Sequence, residues 1–230
     1  MARPRGEPLQ WSPRPRPDRD PLVGARVRLE PLDAAAHAPS LWAALGPDGG
    51  DPGLWDYLPY GPDGSAGQLR ARLAEQARST DPLFFAVVDH ATARVVGVVS
   101  YLRINPVHGV IEIGHLLFAP PLQQTAGATE AIWLLAHHVF DDLGYRRLEW
   151  KCDALNARSR RAAERFGFTF EGIFRQAAVV KGRNRDTAWF ALLDREWPVA
   201  GAAFAQWLAP ENFDAGGRQR RSLVAIRAGG

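Results

Sequence analysis

The sequence of 230 residues contains a single cysteine, Cys152. One thiol can form no internal disulfide and is too little for a thiolate metal site, which argues against redox chemistry and structural zinc. Long apolar runs are also missing. The longest, Val95 to Leu102 and Leu116 to Leu122, fall far short of the ~20 residues that cross a bilayer. Residues 1–20 hold no apolar run of the signal-peptide kind, so a cytoplasmic protein without membrane association is the expectation. Basic charge is scarce where a nucleic-acid protein needs it. Of the net +3, residues 1–20 carry +2 and residues 218–230 carry +4, which leaves the body at −3. The excess sits at the two ends rather than on a folded face, which disfavours direct nucleic-acid binding.

What is present is an ordinary globular balance, 46% hydrophobic and 23% charged, with length for about one domain. Residues 1–21, with five prolines in the first twenty, read as a flexible Pro/Arg-rich arm. Residues 22–197 read as the domain. Residues 198–230 read as an extension that packs on it, through Phe204, Trp207 and Leu208 in a helix-like stretch, followed by a basic tail.

Within the domain, Ala25 to Leu29 alternates as a short strand, and Ala34 to Leu45 reads as a helix that stops before the Gly46-Pro-Asp-Gly-Gly50 turn signal. A second helix spans Ala66 to Ser79. Strands at Leu83 to Asp89, Arg94 to Ile104 and Val110 to Phe118 form an antiparallel meander. The stripe Ala128, Ala131, Ile132, Leu135, Val139 and Leu143 predicts a long helix over Thr125 to Leu143, stopped by Gly144. A strand at Arg147 to Asp153, a helix at Ala157 to Phe166 and two strands across a Gly182 to Asp186 turn complete the order. That order is α+β with a mixed sheet.

The informative junction lies where the third meander strand runs through Ala119-Pro120-Pro121-Leu122 into Gln123-Gln124-Thr125-Ala126-Gly127-Ala128. A small-residue turn opening a helix leaves backbone N–H groups unpaired at the positive end of the helix dipole, an arrangement suited to a phosphate. Its spacing fits neither the P-loop nor the G-x-G-x-x-G fingerprint.

Three pieces taken in order give the chain a family resemblance: Ile111-Glu112-Ile113-Gly114-His115-Leu116-Leu117; the turn Gln123 to Ala128 with Thr129-Glu130-Ala131; and Asn156-Ala157-Arg158-Ser159 leading to Phe166-Gly167-Phe168. They resemble the GNAT superfamily of acetyl-CoA-dependent N-acetyltransferases, in its RimJ/RimL-like branch, over about residues 22–197. The resemblance implies a mostly antiparallel sheet splayed at its centre and flanked by helices, with acetyl-CoA as cosubstrate. The pantetheine arm would pair with Leu116, Leu117 and Phe118, and Gln123, Gln124, Thr125, Ala126, Gly127, Ala128 and Thr129 would form the pyrophosphate loop. Asn156 would contact the pantetheine or hold the splayed strand. Ala126 stands where the family has Gly, which is admissible only at negative φ.

Acetyl transfer needs a base for the amine and a proton for the departing thiolate. The tyrosine that many members place four residues before the Gly-Phe pair is Ala163 here. Ser159 matches the serine that the RimL-like branch sets near the sulfur, and Glu112 lies where relatives carry a carboxylate base. Plainer roles stand beside these: a helix cap for Asn156 and Ser159, and a solvent-facing side chain for Glu112. His115 is a rival base by its ordinary pKa. Three residues from Glu112, it faces the other way in a regular strand unless a bulge near Gly114 intervenes. His137 and His138 read as helix-surface residues, and no ligand spacing suggests a metal.

Trp55, Tyr57, Tyr60 and Trp150, with Phe174 and Trp189, read either as an acceptor pocket or as core. The run Lys181 to Asp186 reads as a solvated turn or as a contact for an acidic acceptor. The functional expectation is direct transfer to a small-molecule or amino-acid-like primary amine. A protein N-terminal acetyltransferase, a silent CoA-binding module, and an RNA-associated protein using its Arg-rich ends are the alternatives. A homodimer is a further expectation.

Overall fold

The computed structural model describes residues 3, 5–46 and 50–229. Residues 47–49 of the expected turn lie outside that set. Eight strands among these residues form one sheet in the order β1-β2-β3-β4-β5-β6-β8-β7: β1 (Leu22–Val23), β2 (Val27–Pro31), β3 (Leu83–Asp89), β4 (Val95–Asn105), β5 (Val110–Phe118), β6 (Arg147–Asp153), β7 (Thr169–Val180) and β8 (Arg183–Leu193). Neighbours are antiparallel except β5 and β6, which run parallel. That crossover carries a helix, as parallel pairing requires.

Helices α1 (Ala34–Leu45) and α2 (Ala66–Arg78) cover one face, over Phe84, Val98 and Leu117. The other face buries Ile111, Ile113, Leu148 and Trp150 against α3 (Ala126–His137), α4 (Ala157–Phe166) and α5 (Trp197–Leu208). The expected stripe is buried from Ala128 to Val139 and half-buried at Leu143, although the helix turns π-helical over His138–Asp142. There His137 and His138 pair with Asp141 and Asp142 one turn on. A short α6 (Leu223–Arg227), which the sequence did not signal, buries Leu223 and Ile226. It donates from Arg227 to the carbonyls of Glu164 and Arg165 at the end of α4.

Two anchors hold the site's helices. Glu130, buried on α3, accepts from the N–H groups of Ala25, Arg26 and Val27 at 3.2, 2.6 and 2.8 Å, fixing the start of α3 against β2. At the end of α4, Gly167 at φ +98 takes a left-handed conformation favourable to glycine, and the following Phe168 N–H bonds back to Ala163. Residues 11–19 run along the body. Trp11 Nε1 donates to Val107 O at 2.8 Å, Arg14 N to Pro106 O at 3.1 Å, and Tyr145 Oη to Pro15 O at 3.0 Å.

One turn differs from its reading. Residues 183–186 are strand, not loop, and the hairpin closes at Lys181-Gly182, both at positive φ. Such two-residue turns match the twist of the strands they join. Arg183 and Arg185 are therefore strand residues.

Candidate active site

The parallel ladder pairs Val110 through Ile113 with Arg147 through Trp150 and ends there. Beyond it β5 stays bonded to β4 through Phe118, and β6 to β8 through Asp153, so the two central strands part. From Gly114 to Phe118, β5 has an edge that no β6 residue pairs. The expected splay is present.

A bulge sits at the mouth of the splay. Ser100 pairs with Gly114 but Val98 with Leu117, so β5 carries one extra residue, and His115 has φ +51. The extra residue brings His115 to the face of Glu112, where its ring stacks on Tyr60 at 5.6 Å and tilts against Phe84 at 5.1 Å. Desolvation, with the charges of Arg72 and Arg185, lowers its pKa to about 4, so the imidazole is neutral near pH 7. Its Nδ1 has no hydrogen-bond partner among the described residues.

Glu112 is 6% exposed. Burial raises its carboxyl above the usual range, against the pull of Lys151 and Arg103. Lys151 Nζ lies 2.9 Å from Glu112 and 2.6 Å from Glu149, and 3.6 Å above the ring of Trp189. Arg103 Nε is 3.6 Å from Glu112. The sequence reading missed Lys151 and Glu149. Their signal is the alternation Glu149-Trp150-Lys151, which sets both charges on one face once β6 lies beside β5. The same alternation carries Trp150, read with the acceptor aromatics, to the opposite face, where it packs on Phe166 and Phe168.

On that opposite face Trp150 Nε1 donates to Ser159 Oγ at 2.9 Å. The serine therefore keeps its own proton for another acceptor. Asn156 Oδ1 accepts from Ser159 N at 3.0 Å, capping α4. Burial pushes the adjacent Cys152 thiol up, with Ser159 beside it, which disfavours a thiolate nucleophile.

At the start of α3 the amides divide. Thr125 N bonds to Leu122 O, Ala128 N to Thr125 Oγ1 and Thr129 N to Thr125 O, while Gln123 N turns back on Ala119 and Pro120. Among the described residues no such bond engages the N–H groups of Gln124, Ala126 and Gly127. The positive φ belongs to Gln124, at +59, and Ala126 has an ordinary negative one, so a side chain there is unstrained. Gln123 Nε2 donates to Phe118 O at 2.8 Å, tying the loop to the end of β5. Thr125, Ala126 and Gly127 line an open cavity of about 660 Å³ with Arg26 and His90.

The aromatic loop spans the splay on the Glu112 face. Tyr57 Oη reaches Leu155 O at 3.4 Å, beyond β6. Lys181 Nζ, at the hairpin tip, donates to Trp55 O at 2.7 Å, and Tyr60 lies on His115. Trp55 itself is core, 1% exposed. Among the described residues no group of three or more His, Cys, Asp or Glu could hold a metal ion, and no helix is long and apolar enough to cross a membrane.

A family model described as the acetyltransferase (GNAT) domain matches residues 26–169. The crystal structure of a GCN5-related N-acetyltransferase from Brucella melitensis is 49% identical, covering 95% of this chain and 99% of that one with a TM-score of 0.92. A GNAT-family structure from Chromobacterium violaceum is 40% identical, covering 86% and 98%, with a TM-score of 0.77. The ribosomal-protein-serine acetyltransferase of Escherichia coli is 33% identical over 98 residues, 42% of this chain and 54% of that protein. The matches span 54 to 63% of the curated relatives' lengths.

Proposed function

Because the chain belongs to the GNAT family of acetyltransferases, we propose that it acetylates a primary amine by direct transfer from acetyl-CoA, with Glu112 as base and Ser159 as hydrogen-bond donor to the departing sulfur. The observation that carries this reading is the parting of β5 and β6 after Ile113, one residue beyond Glu112, beside a helix start with amides that no described residue engages. The N–H groups of Gln124, Ala126 and Gly127 fit a diphosphate, and the unpaired edge from Gly114 to Phe118 fits an extended amide-bearing arm. Acetyl-CoA supplies the acetyl group as a thioester, whose C–S bond breaks as the new N–C bond forms.

Glu112 takes the proton that an ammonium must lose before it can attack. Its raised pKa makes it a better base than an ordinary surface carboxylate, and Lys151 holds it in place. His115, depressed to about 4, is too weak a base to compete near neutrality. Ser159, already accepting from Trp150, directs its O–H away from the indole.

The ties of the aromatic loop across the splay favour a small or amino-acid-like amine, since they narrow the approach to Glu112. A ribosomal-protein acceptor is the second reading, favoured by the name of the E. coli relative. Acetyl-CoA turnover followed by free-thiol detection, across amines, amino acids and peptides, tests the proposal. Thiol release that depends on an amine is expected, and its absence with every acceptor would overturn the assignment.

A further inference from the structure

Among the described residues, four buried side-chain polar atoms lack a hydrogen-bond partner: Tyr60 Oη, His115 Nδ1, Arg185 Nε and Trp189 Nε1. Leaving one such group unpaired costs about 1–3 kcal/mol, and native folds keep few of them. These four are not scattered. Tyr60 stacks on His115, Arg185 is among the charges that hold His115 neutral, and Trp189 carries Lys151, the partner of Glu112, on its ring. Arg185 and Trp189 stand four apart on β8, hence on one face, and that face is the one of Glu112.

The chemistry of the four is uneven. Arginine and indole nitrogens can only donate, whereas tyrosine and histidine can do either. Three cations on this side are neutralised by carboxylates: Arg72 closes on Asp63 at 2.6 Å, Arg147 on Glu149 and Glu171, and Lys151 on Glu112 and Glu149. The side chain of Arg185 forms no ion pair and no hydrogen bond with any described residue, though it is partly buried. A partly buried guanidinium without a counter-ion and, four residues along the same strand face, an indole donor without an acceptor are each complementary to an anionic oxygen group.

We propose that the amine acceptor carries an anionic oxygen group, bound by Arg185 and Trp189 while the amine faces Glu112, and that this group is a carboxylate. The inference rests on the acetyl-transfer reading and names its substrate class. A carboxylate matches the planar fork of a guanidinium, and its remaining lone pairs can accept from Trp189. A phosphate monoester shares the charge and the acceptor oxygens, so both sources enter the test.

The experiment compares kcat/KM across matched acceptors: free amino acids, their C-terminal amides, the decarboxylated amines and phosphoethanolamine. Free amino acids are expected to exceed their amides and decarboxylated counterparts by at least tenfold. Arg185→Gln should erase that preference while leaving CoA affinity within about twofold, and Arg185→Lys should retain part of it. Calorimetric binding of CoA to both variants controls for folding. Phosphoethanolamine as the favoured acceptor would overturn the carboxylate assignment. Equal rates for charged and uncharged partners, or an equal loss of CoA affinity in Arg185→Gln, would overturn the subsite while leaving acetyl transfer intact. Turnover of none of the acceptors would overturn both.

Discussion

Trp150 and Ser159 form a directed pair: the indole Nε1 of β6 donates to the serine Oγ in the first turn of α4 at 2.9 Å. The bond uses an oxygen lone pair and leaves the serine hydrogen to another acceptor, the Cys152 sulfur being one within reach. Ser159→Ala should lower kcat roughly 10- to 100-fold with little change in CoA affinity, and should cost about 1–3 kcal/mol by leaving the indole N–H unpaired. Trp150→Phe keeps the hydroxyl but frees its orientation, so its kcat should fall less. Steady-state kinetics with calorimetry and thermal melts separate the effects. Unchanged kcat in Ser159→Ala would remove the serine from the chemistry.

Glu112 must be ionised to accept a proton, and burial raises its pKa above 4.5. The rate should therefore fall as the pH drops through that raised value, and Glu112→Gln should abolish this acid limb and lower kcat by roughly 100-fold or more. The stability sign is opposite to that of a salt-bridged carboxylate with a lowered pKa. The folded state binds this proton more tightly than the unfolded chain does. Relative to the native protein, Glu112→Gln should thus gain stability as pH rises above 4.5. A pH–rate profile and denaturant midpoints from pH 4.5 to 8 check both.

His115 gives the reverse slope. Its pKa falls from 6.5 to about 4 on folding, so the unfolded chain binds the extra proton between those values and stability declines as the pH drops from 6.5 toward 4. The linked effect is on the order of 3 kcal/mol at full depression. His115→Gln should flatten this part of the stability curve and leave the acid limb of the rate in place. An unaltered slope in the variant would mean that the imidazole titrates normally.

The sequence was most legible where each segment carries its own punctuation. Helix α4 is bracketed by its cap Asn156 and by Gly167, β3 follows Asp81-Pro82, and the bounds of β5 and β6 follow from apolar runs ending in Asn, Pro and Gly. Less legible was what depends on pairing between distant segments. Lys151 becomes a partner of Glu112 only through the parallel register that sets Glu112 beside Glu149, and no local pattern encodes that. A bulge near Gly114 was the condition for His115 to share the face of Glu112, and one is present. It falls on His115, held by Tyr60 and Phe84, which come from other parts of the chain. The turn read over Gly182 to Asp186 is polar enough for a loop, yet Lys181-Gly182 suffices to close the hairpin, which frees Arg185 to point along the strand face.

The hairpin tip supplies a further check. Lys181→Met removes the bond to Trp55 O and should loosen the cover over the splay, raising the acceptor KM several-fold while CoA affinity stays constant. Equal acceptor KM in variant and native protein would show that the loop does not shape the acceptor side.

The central claim concerns the amides at the start of α3, and Ala126→Pro addresses it with least disturbance. Ala126 is the first residue of the helix, at negative φ after an extended Thr125. Proline is tolerated at that position because its missing N–H has no intrahelical partner. The substitution thus deletes one free donor and little else. With the melting temperature held within a few degrees, calorimetry should show CoA binding weakened roughly 10- to 150-fold, the range for one hydrogen bond to a charged group. Native-like affinity in Ala126→Pro would contradict a diphosphate held by these amides.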